Sequence, residues 1–244
     1  MKITFIGSGC AIPEPGKNYS CILLESSGKR YLIDIGCNPC SWLAKRHLTP
    51  DDITAVFLTH MHTDHSAGLI PFSALCSWRF KQADPEIYLP DMQMKNVIKD
   101  FLDCSGDNLR PSIRFFPVNE GTFYEDGIIR VTALRTGHTA TSFAHQVECE
   151  GKKVLFAGDL TPGCGPEKDY ARLVARESYD LTITECAHFS AMQYLDALQT
   201  GTVRKICITH CAQDRLPSVL QLRDALKDTQ TEFILANDDL TIEL

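Results

Sequence analysis

Apolar residues in this chain come mostly in runs of four to seven, rich in Ile, Val, Leu and Phe and bounded by Gly, Asp, Asn or charged residues. Such runs are the mark of strands buried on both faces. In the first half they predict strands over residues 3–6, 21–25, 31–34 and 55–58, with a short one over 86–89. Helices are expected over 38–46, from about 66 onward, and over 91–102, followed by a polar loop at 104–110. The second half predicts strands near 113–117, 128–134, 143–149, 153–157, 181–184, 205–208, 232–235 and 240–243, and helices near 168–177, 190–199 and 216–227. So many strands exceed what one parallel sheet needs, and helices are interspersed in both halves. The expected class is α/β: two mixed β-sheets packed face to face with helices on the outer faces, a four-layer αββα sandwich. No linker or low-complexity segment interrupts residues 1–244, so a single domain is expected.

The halves echo each other. Ala55-Val56-Phe57-Leu58-Thr59-His60 and Lys205-Ile206-Cys207-Ile208-Thr209-His210 are both apolar runs ending in Thr-His, with Asp64 and Asp214 at the same later offset. Duplicated halves whose strand ends face each other would carry distant residues to one seam.

Composition narrows the setting. With 244 residues and 44% hydrophobic content the chain can bury a full core, and its net charge of -7 gives no global attraction to nucleic acid or anionic membrane. Eleven cysteines, an odd number without repeating spacing, fit a reducing compartment better than a disulfide framework. The first apolar run is too short for a signal peptide and no stretch is long enough to span a membrane, so the cytoplasm is expected.

The chemistry concentrates in Thr59-His60-Met61-His62-Thr63-Asp64-His65, directly after the run 55–58. Three imidazoles and a carboxylate at the end of a buried strand suit zinc or a similar divalent ion. Exposed polar turn residues would explain one such cluster. They do not explain why His138, Asp159 and His210 also follow strands, supplying the further ligands that a two-metal site requires.

The series His60-x-His62-x-Asp64-His65, His138, Asp159 and His210 resembles the metallo-β-lactamase superfamily of hydrolases, with its seven ligand positions filled in order. The segment Phe5-Ile6-Gly7-Ser8-Gly9-Cys10-Ala11-Ile12-Pro13, then Asn18-Tyr19-Ser20-Cys21 and Leu32-Ile33-Asp34-Ile35-Gly36, looks like the ribonuclease Z-like branch. The resemblance implies the metallo-β-lactamase fold and two divalent ions, zinc first, with manganese or iron as alternatives. It implies that His60, His62 and His138 hold one ion, that Asp64, His65 and His210 hold the other, and that Asp159 bridges them. A water shared by two such ions loses its proton near neutral pH, and the resulting hydroxide attacks without a side-chain base.

The resemblance also implies a catalytic role for His188, 22 residues ahead of His210, as proton donor or charge stabiliser at the scissile group, and places Asp64 among the catalytic residues. The alternative for His188 is a supporting histidine at a helix start. Asp34 is expected to buttress the site by hydrogen bonding. Only 20 residues separate His138 from Asp159, an interval in which ribonuclease Z carries a protruding tRNA-binding arm. Structured tRNA is therefore not the expected substrate, and the short form looks closer to phosphodiesterases of the same branch that act on cyclic or activated nucleotide diesters.

Four other features receive plainer readings. Cys37-Asn38-Pro39-Cys40 has a redox-like spacing but no second pair, so it is taken as structural or incidental. His145 is expected in a strand, in the core or supporting the site. His47 follows Lys45-Arg46 at a helix end, where the dipole favours cations. Gly7 and Gly9 precede no helix, which argues against a phosphate-cradling loop.

The leading expectation is a two-metal phosphodiesterase acting on a small nucleotide or other small phosphodiester, with a homodimer left open. A thioesterase or lactonase is the alternative, because the same hydroxide can attack a carbonyl and Gly137-His138-Thr139 resembles the third motif of glyoxalase II. A tRNA 3′-processing ribonuclease and a non-catalytic scaffold rank lower, the scaffold because no ligand position is lost. An oxygen-reducing diiron protein would carry Glu where this chain has His62.

Overall fold

The computed structural model describes every residue except 164, 166 and 167. Its first sheet is built from β1 (Lys2–Gly7), β2 (Cys21–Ser26), β3 (Lys29–Ile33), β4 (Ala55–Phe57), β5 (Glu86–Leu89), β6 (Arg114–Pro117) and β14 (Thr241–Glu243). The second contains β7 (Gly121–Glu125), β8 (Ile129–Arg135), β9 (Phe143–Cys149), β10 (Lys152–Phe156), β11 (Leu181–Cys186), β12 (Lys205–Cys211) and β13 (Glu232–Leu235). Spatial order is β14-β1-β2-β3-β4-β5-β6 in one sheet and β13-β12-β11-β10-β9-β8-β7 in the other. Helices α1 (Cys40–Ala44), α2 (Thr63–Ser66), α3 (Leu69–Trp78) and α4 (Gln93–Ser105) serve the first half, and α5 (Asp169–Val174), α6 (Leu195–Leu198) and α7 (Leu216–Ala225) the second. This is the expected α/β sandwich of two mixed sheets.

Each sheet divides the same way. β1, β2 and β3 pair antiparallel and β3 to β6 parallel; β7 to β10 pair antiparallel and β10 to β13 parallel. The inner faces supply one core, including Phe5, Tyr31, Phe57, Val131, Val147, Phe156 and Ile183, while separate apolar layers lie beneath the helices of each half. Strands covered on both faces read as continuous apolar runs, and for that reason they were visible in the sequence.

The internal echo holds for the halves but not for the residues that suggested it. By pairing rank, β4 corresponds to β11 rather than to β12, so the two Thr-His endings sit on strands of different rank. Asp64 is buried, whereas the Asp214 side chain is 73% exposed. The matching pair is β3 and β10, whose ends lead into Asp34 and Asp159.

Other departures have local causes. β7 was not expected: its residues are mixed and half-exposed because it is a sheet edge, with a bulge between Thr122 and Tyr124. The helix expected over 38–46 is only Cys40–Ala44; His47 lies past its end at φ 58°, while Leu48 N–H closes onto the Leu43 carbonyl. His47 therefore terminates the helix through its backbone. The loop expected at 104–110 starts later, because α4 runs to Ser105 and stops at the left-handed Gly106. Among the described residues no helix is long and apolar enough to cross a membrane, and the ten described cysteines are free thiols.

Candidate metal centre

The C-terminal ends of β3, β4, β10, β11 and β12 converge at one end of the seam between the sheets. β4 delivers Leu58, Thr59 and the fully buried His60. Asp34 receives the Thr59 N–H at 2.7 Å and the Thr59 hydroxyl at 2.9 Å. From the opposite sheet, His145 Nε2 donates to the Leu58 carbonyl and the Phe143 N–H to the Thr59 carbonyl, each at 2.9 Å. Burial lowers the His145 pKa and keeps this ring neutral, so His145 is a cross-seam clamp on the turn that carries His60 and His62. The chain segments meet too closely for larger residues at two glycines. A Cβ on Gly36 would stand 1.8 Å from the Asp64 carbonyl oxygen, and one on Gly158, at φ +60°, would stand 2.9 Å from Thr59.

α2 begins at Thr63, earlier than the helix start expected near 66, so Asp64 and His65 leave from its first turn and His62 is its N-cap. Ser66 Oγ returns to the His62 carbonyl at 2.9 Å and holds this single turn. His65 Nδ1 is anchored by Asp34 at 2.7 Å. Asp34 is thus the buttress expected of it, holding Thr59 and His65 together.

All seven expected ligand residues come together. His62 Nδ1 lies 3.1 Å from both His60 Nε2 and His138 Nε2, and Asp159 Oδ2 lies 3.6 and 3.5 Å from those two Nε2 atoms. Asp159 Oδ1 faces the other way, 3.3 Å from His65 Nε2 and 3.4 Å from His210 Nε2. Asp64 Oδ2 completes that side at 3.5 Å from His210 and 3.9 Å from His65. Ligand atoms around a tetrahedral zinc with 2.0–2.1 Å bonds stand about 3.3–3.4 Å apart. The residues fit: His60, His62, His138 and Asp159 could hold one ion, and Asp64, His65 and His210 another. Asp159 Oδ1 and His65 Nε2 are buried without a hydrogen-bond partner, the condition of atoms shaped for a cation.

Electrostatics agree. Burial, helped by the neighbouring His65 charge, pushes the His60 pKa down to about 2, and burial lowers those of His138 and His210. Burial opposes charge on His65 as well, yet Asp159 and Asp34 together carry its pKa well above the usual imidazole range. Burial also disfavours the Asp159 anion, but His210 and His65 hold its pKa well below the usual carboxylate range. Asp159 is therefore anionic and His60, His138 and His210 neutral, the forms in which such residues ligate a metal, whereas His65 holds a proton that an arriving ion would have to displace.

His188 lies on the loop after β11, 36% exposed at the lip of the cluster. Its Nδ1 is 2.8 Å from Glu185, and that hydrogen bond raises the His188 pKa against the effect of burial. Glu185 also accepts the N–H groups of Leu160, Ala187 and His188 at 3.0, 2.8 and 3.0 Å. Its oxygens are thereby occupied, so Glu185 acts on His188 and on the turn after Asp159. The sequence reading assigned Glu185 no role; the available signal was an acid at the end of a buried strand, three residues before the exposed histidine.

Cys37 and Cys40 do not pair with each other. Cys37 instead interacts with Cys21 on β2, which lowers the Cys37 pKa and, with burial, raises that of Cys21. A separate cavity of about 300 Å³ lies between α5 and α6, lined by Leu160, Tyr170, Phe189 and Tyr194, and none of the seven expected ligands borders it.

Comparison with known proteins agrees with this geometry. Residues 1–224 match the family described as Anti-Pycsar protein Apyc1. A ribonuclease Z from Crocosphaera subtropica is 30% identical, the alignment covering all of this chain and 98% of the relative. That alignment runs to 308 positions against a chain of 244 residues, so the relative carries residues with no counterpart here. Among solved structures, the metallo-β-lactamase fold protein YhfI from Bacillus subtilis superposes with a TM-score of 0.79 at 19% identity, covering 100% of this chain and 99% of that one. The short form of human tRNase Z gives a TM-score of 0.76 at 22% identity, again covering 100% and 99%. A full-length match to a ribonuclease Z and the same two-sheet architecture make this chain a metal-dependent hydrolase of the metallo-β-lactamase superfamily, in its ribonuclease Z-like branch, and it belongs to the Anti-Pycsar protein Apyc1 family.

Proposed function

We propose that this protein is a two-metal phosphodiesterase acting on small diesters of the nucleotide type. The observation that carries the reading is Asp159, whose two oxygens divide between two ligand sets at 3.3–3.6 Å. In this reading His60, His62 and His138 hold one divalent ion, Asp64, His65 and His210 hold a second, and Asp159 joins them. Zinc suits these donors, with manganese or iron as alternatives. When bound, the pair supplies Lewis acidity toward a phosphoryl oxygen and a nucleophile at neutral pH.

The chain's own residues do the rest. Asp34, Thr59 and His145 keep the imidazoles aimed, so that geometry is prepared before substrate arrives. Asp64 serves as a ligand and takes a hydrogen bond from the attacking water. His188, with Nδ1 held by Glu185, gives the proton on Nε2 to the departing oxygen. The Glu185 contact keeps that proton in place near neutral pH.

A small substrate is favoured by the interval between His138 and Asp159, which consists of a short loop and the β9–β10 hairpin, and by the net charge of -7. The competing reaction is carbonyl hydrolysis by a thioesterase or lactonase. A panel on metal-loaded protein separates them: bis-p-nitrophenyl phosphate, cyclic nucleotides, a lactone and a glutathione thioester. Turnover of the diesters, with the lactone and thioester near background, is expected; the reverse order would replace the phosphodiesterase assignment.

A further inference from the structure

Three imidazoles of the site have their Nδ1 atom supported by a neighbouring side chain. His60 Nδ1 lies 3.1 Å from Thr59 Oγ1, His65 Nδ1 2.7 Å from Asp34, and His188 Nδ1 2.8 Å from Glu185. His210 breaks the series. Its Nε2 faces Asp64 and Asp159, the residue is 97% buried at a relative exposure of 3%, and its Nδ1 has no hydrogen-bond partner among the described residues.

His210 also borders a cavity of about 20 Å³ between the two sheets. It lies on the core side of the candidate metal centre: His65 and Asp159 border it together with His210, its further polar lining includes Ser20 and Thr209, and Ile22 and Phe156 are among its apolar walls. Ser20, just ahead of β2, and Thr209, on β12, come from opposite sheets and both line this space. A cavity needs roughly 10–15 Å³ and two to four polar partners to hold a water molecule. This one has both.

We propose that the cavity holds one ordered water molecule, which accepts a hydrogen bond from His210 Nδ1–H and donates to the hydroxyl oxygens of Ser20 and Thr209. Thr209 donates its own proton to the Ser8 carbonyl at 3.4 Å, so its oxygen retains accepting capacity. The water does for His210 what Asp34 does for His65: it fixes the proton on Nδ1 and leaves the Nε2 lone pair facing Asp64 and Asp159. Groups that hold the second nitrogen of a ligating histidine are worth about 10–100-fold in metal affinity. That consequence rests on the two-metal reading; the presence of the water does not.

Two measurements test it. A crystal structure at a resolution that shows ordered water, determined with and without added zinc, should contain one water in this cavity within hydrogen-bond distance of His210 Nδ1 in both forms. The Ser20→Val variant, which adds apolar bulk and removes a hydroxyl, should lose the water and bind one of its two zinc ions about 10–100-fold more weakly, the other unchanged. Ser20→Ala leaves the space open but removes one acceptor, so it should keep the water and weaken zinc binding less than Ser20→Val. A dry cavity, or His210 Nδ1 bonded directly to a protein atom, overturns the proposal, as does wild-type binding of both ions by Ser20→Val. If the wild type binds no zinc at all, the two-metal reading fails, and the zinc-free crystal still decides the water.

Discussion

Two carboxylates, one at each end of the seam between the sheets, are treated in opposite ways. At one end Asp126 receives Lys29 Nζ at 2.8 Å, the Tyr31 and Tyr124 hydroxyls at 2.7 and 3.0 Å, and the Ile128 and Ile129 N–H groups at 3.0 Å each. At the other, Asp159 has a buried oxygen without a hydrogen-bond donor and faces imidazole nitrogens at 3.3–3.6 Å. Asp126 gathers donors and locks two sheets together. Asp159 gathers acceptors around a space suited to cations. The same residue type is structural where its partners satisfy it and functional where they converge with it on something further.

The largest effect expected is at the unsatisfied end. Asp159→Ala should lose at least one bound ion and, with it, activity on every substrate, while the metal-free variant should melt close to the metal-free wild type. Metal analysis and calorimetry on the same samples read both. A collapse in metal-free stability would mean that Asp159 is a structural acid like Asp126, and the contrast would fail.

Next comes His188→Ala. Full metal content is expected, with a loss of about 10²–10⁴ in turnover of diesters whose leaving groups need a proton. The loss should be much smaller with p-nitrophenolate, which departs unprotonated. Equal losses on both substrates together with missing metal would make His188 a ligand. Unchanged turnover of alkyl leaving groups would remove it from the chemistry.

Asp126→Ala should show the converse. Leaving several donors unpaired costs about 2–4 kcal/mol of stability, while the folded variant keeps its metal and its rate. Burial disfavours the Asp126 anion, but Lys29, the Ile129 N–H and Tyr31 hold its pKa below the usual carboxylate range. A depressed folded-state pKa adds stability above the unfolded value of about 3.9 and loses it as pH falls through the folded one. Denaturant curves for wild type and variant should therefore draw together in acid, below about pH 3.9.

Glu185→Gln is the mildest change. Glu185 raises the His188 pKa, so the amide should let that pKa fall. The protonated donor would then be lost at lower pH, and the alkaline limb of the rate profile should move down with metal content unchanged. An unmoved limb would detach Glu185 from proton delivery.

Much of this was readable in the chain because the strands leading to the site are buried on both faces and end abruptly in His or Asp. The run before Thr59-His60, the run before Asp159 and the run before His210 each located a residue of the convergent cluster. What escaped notice lacked such a run. β7 is an edge strand whose exposed residues blur the alternation, and α2 is a single turn formed inside the motif, with too few residues for a helical period. Glu185 looked like one more strand residue, since only the folded loop brings it beneath His188. The Thr-His echo misled because it matched letters, whereas the halves repeat by strand rank and pair Asp34 with Asp159.

The contrast between the two ends is tested most directly by the metal content of the purified protein after reconstitution with zinc or manganese, read per chain by elemental analysis. Close to two ions per chain in the wild type, and at most one in Asp159→Ala, is the predicted result. No bound metal after reconstitution, or two ions retained without Asp159, would contradict it.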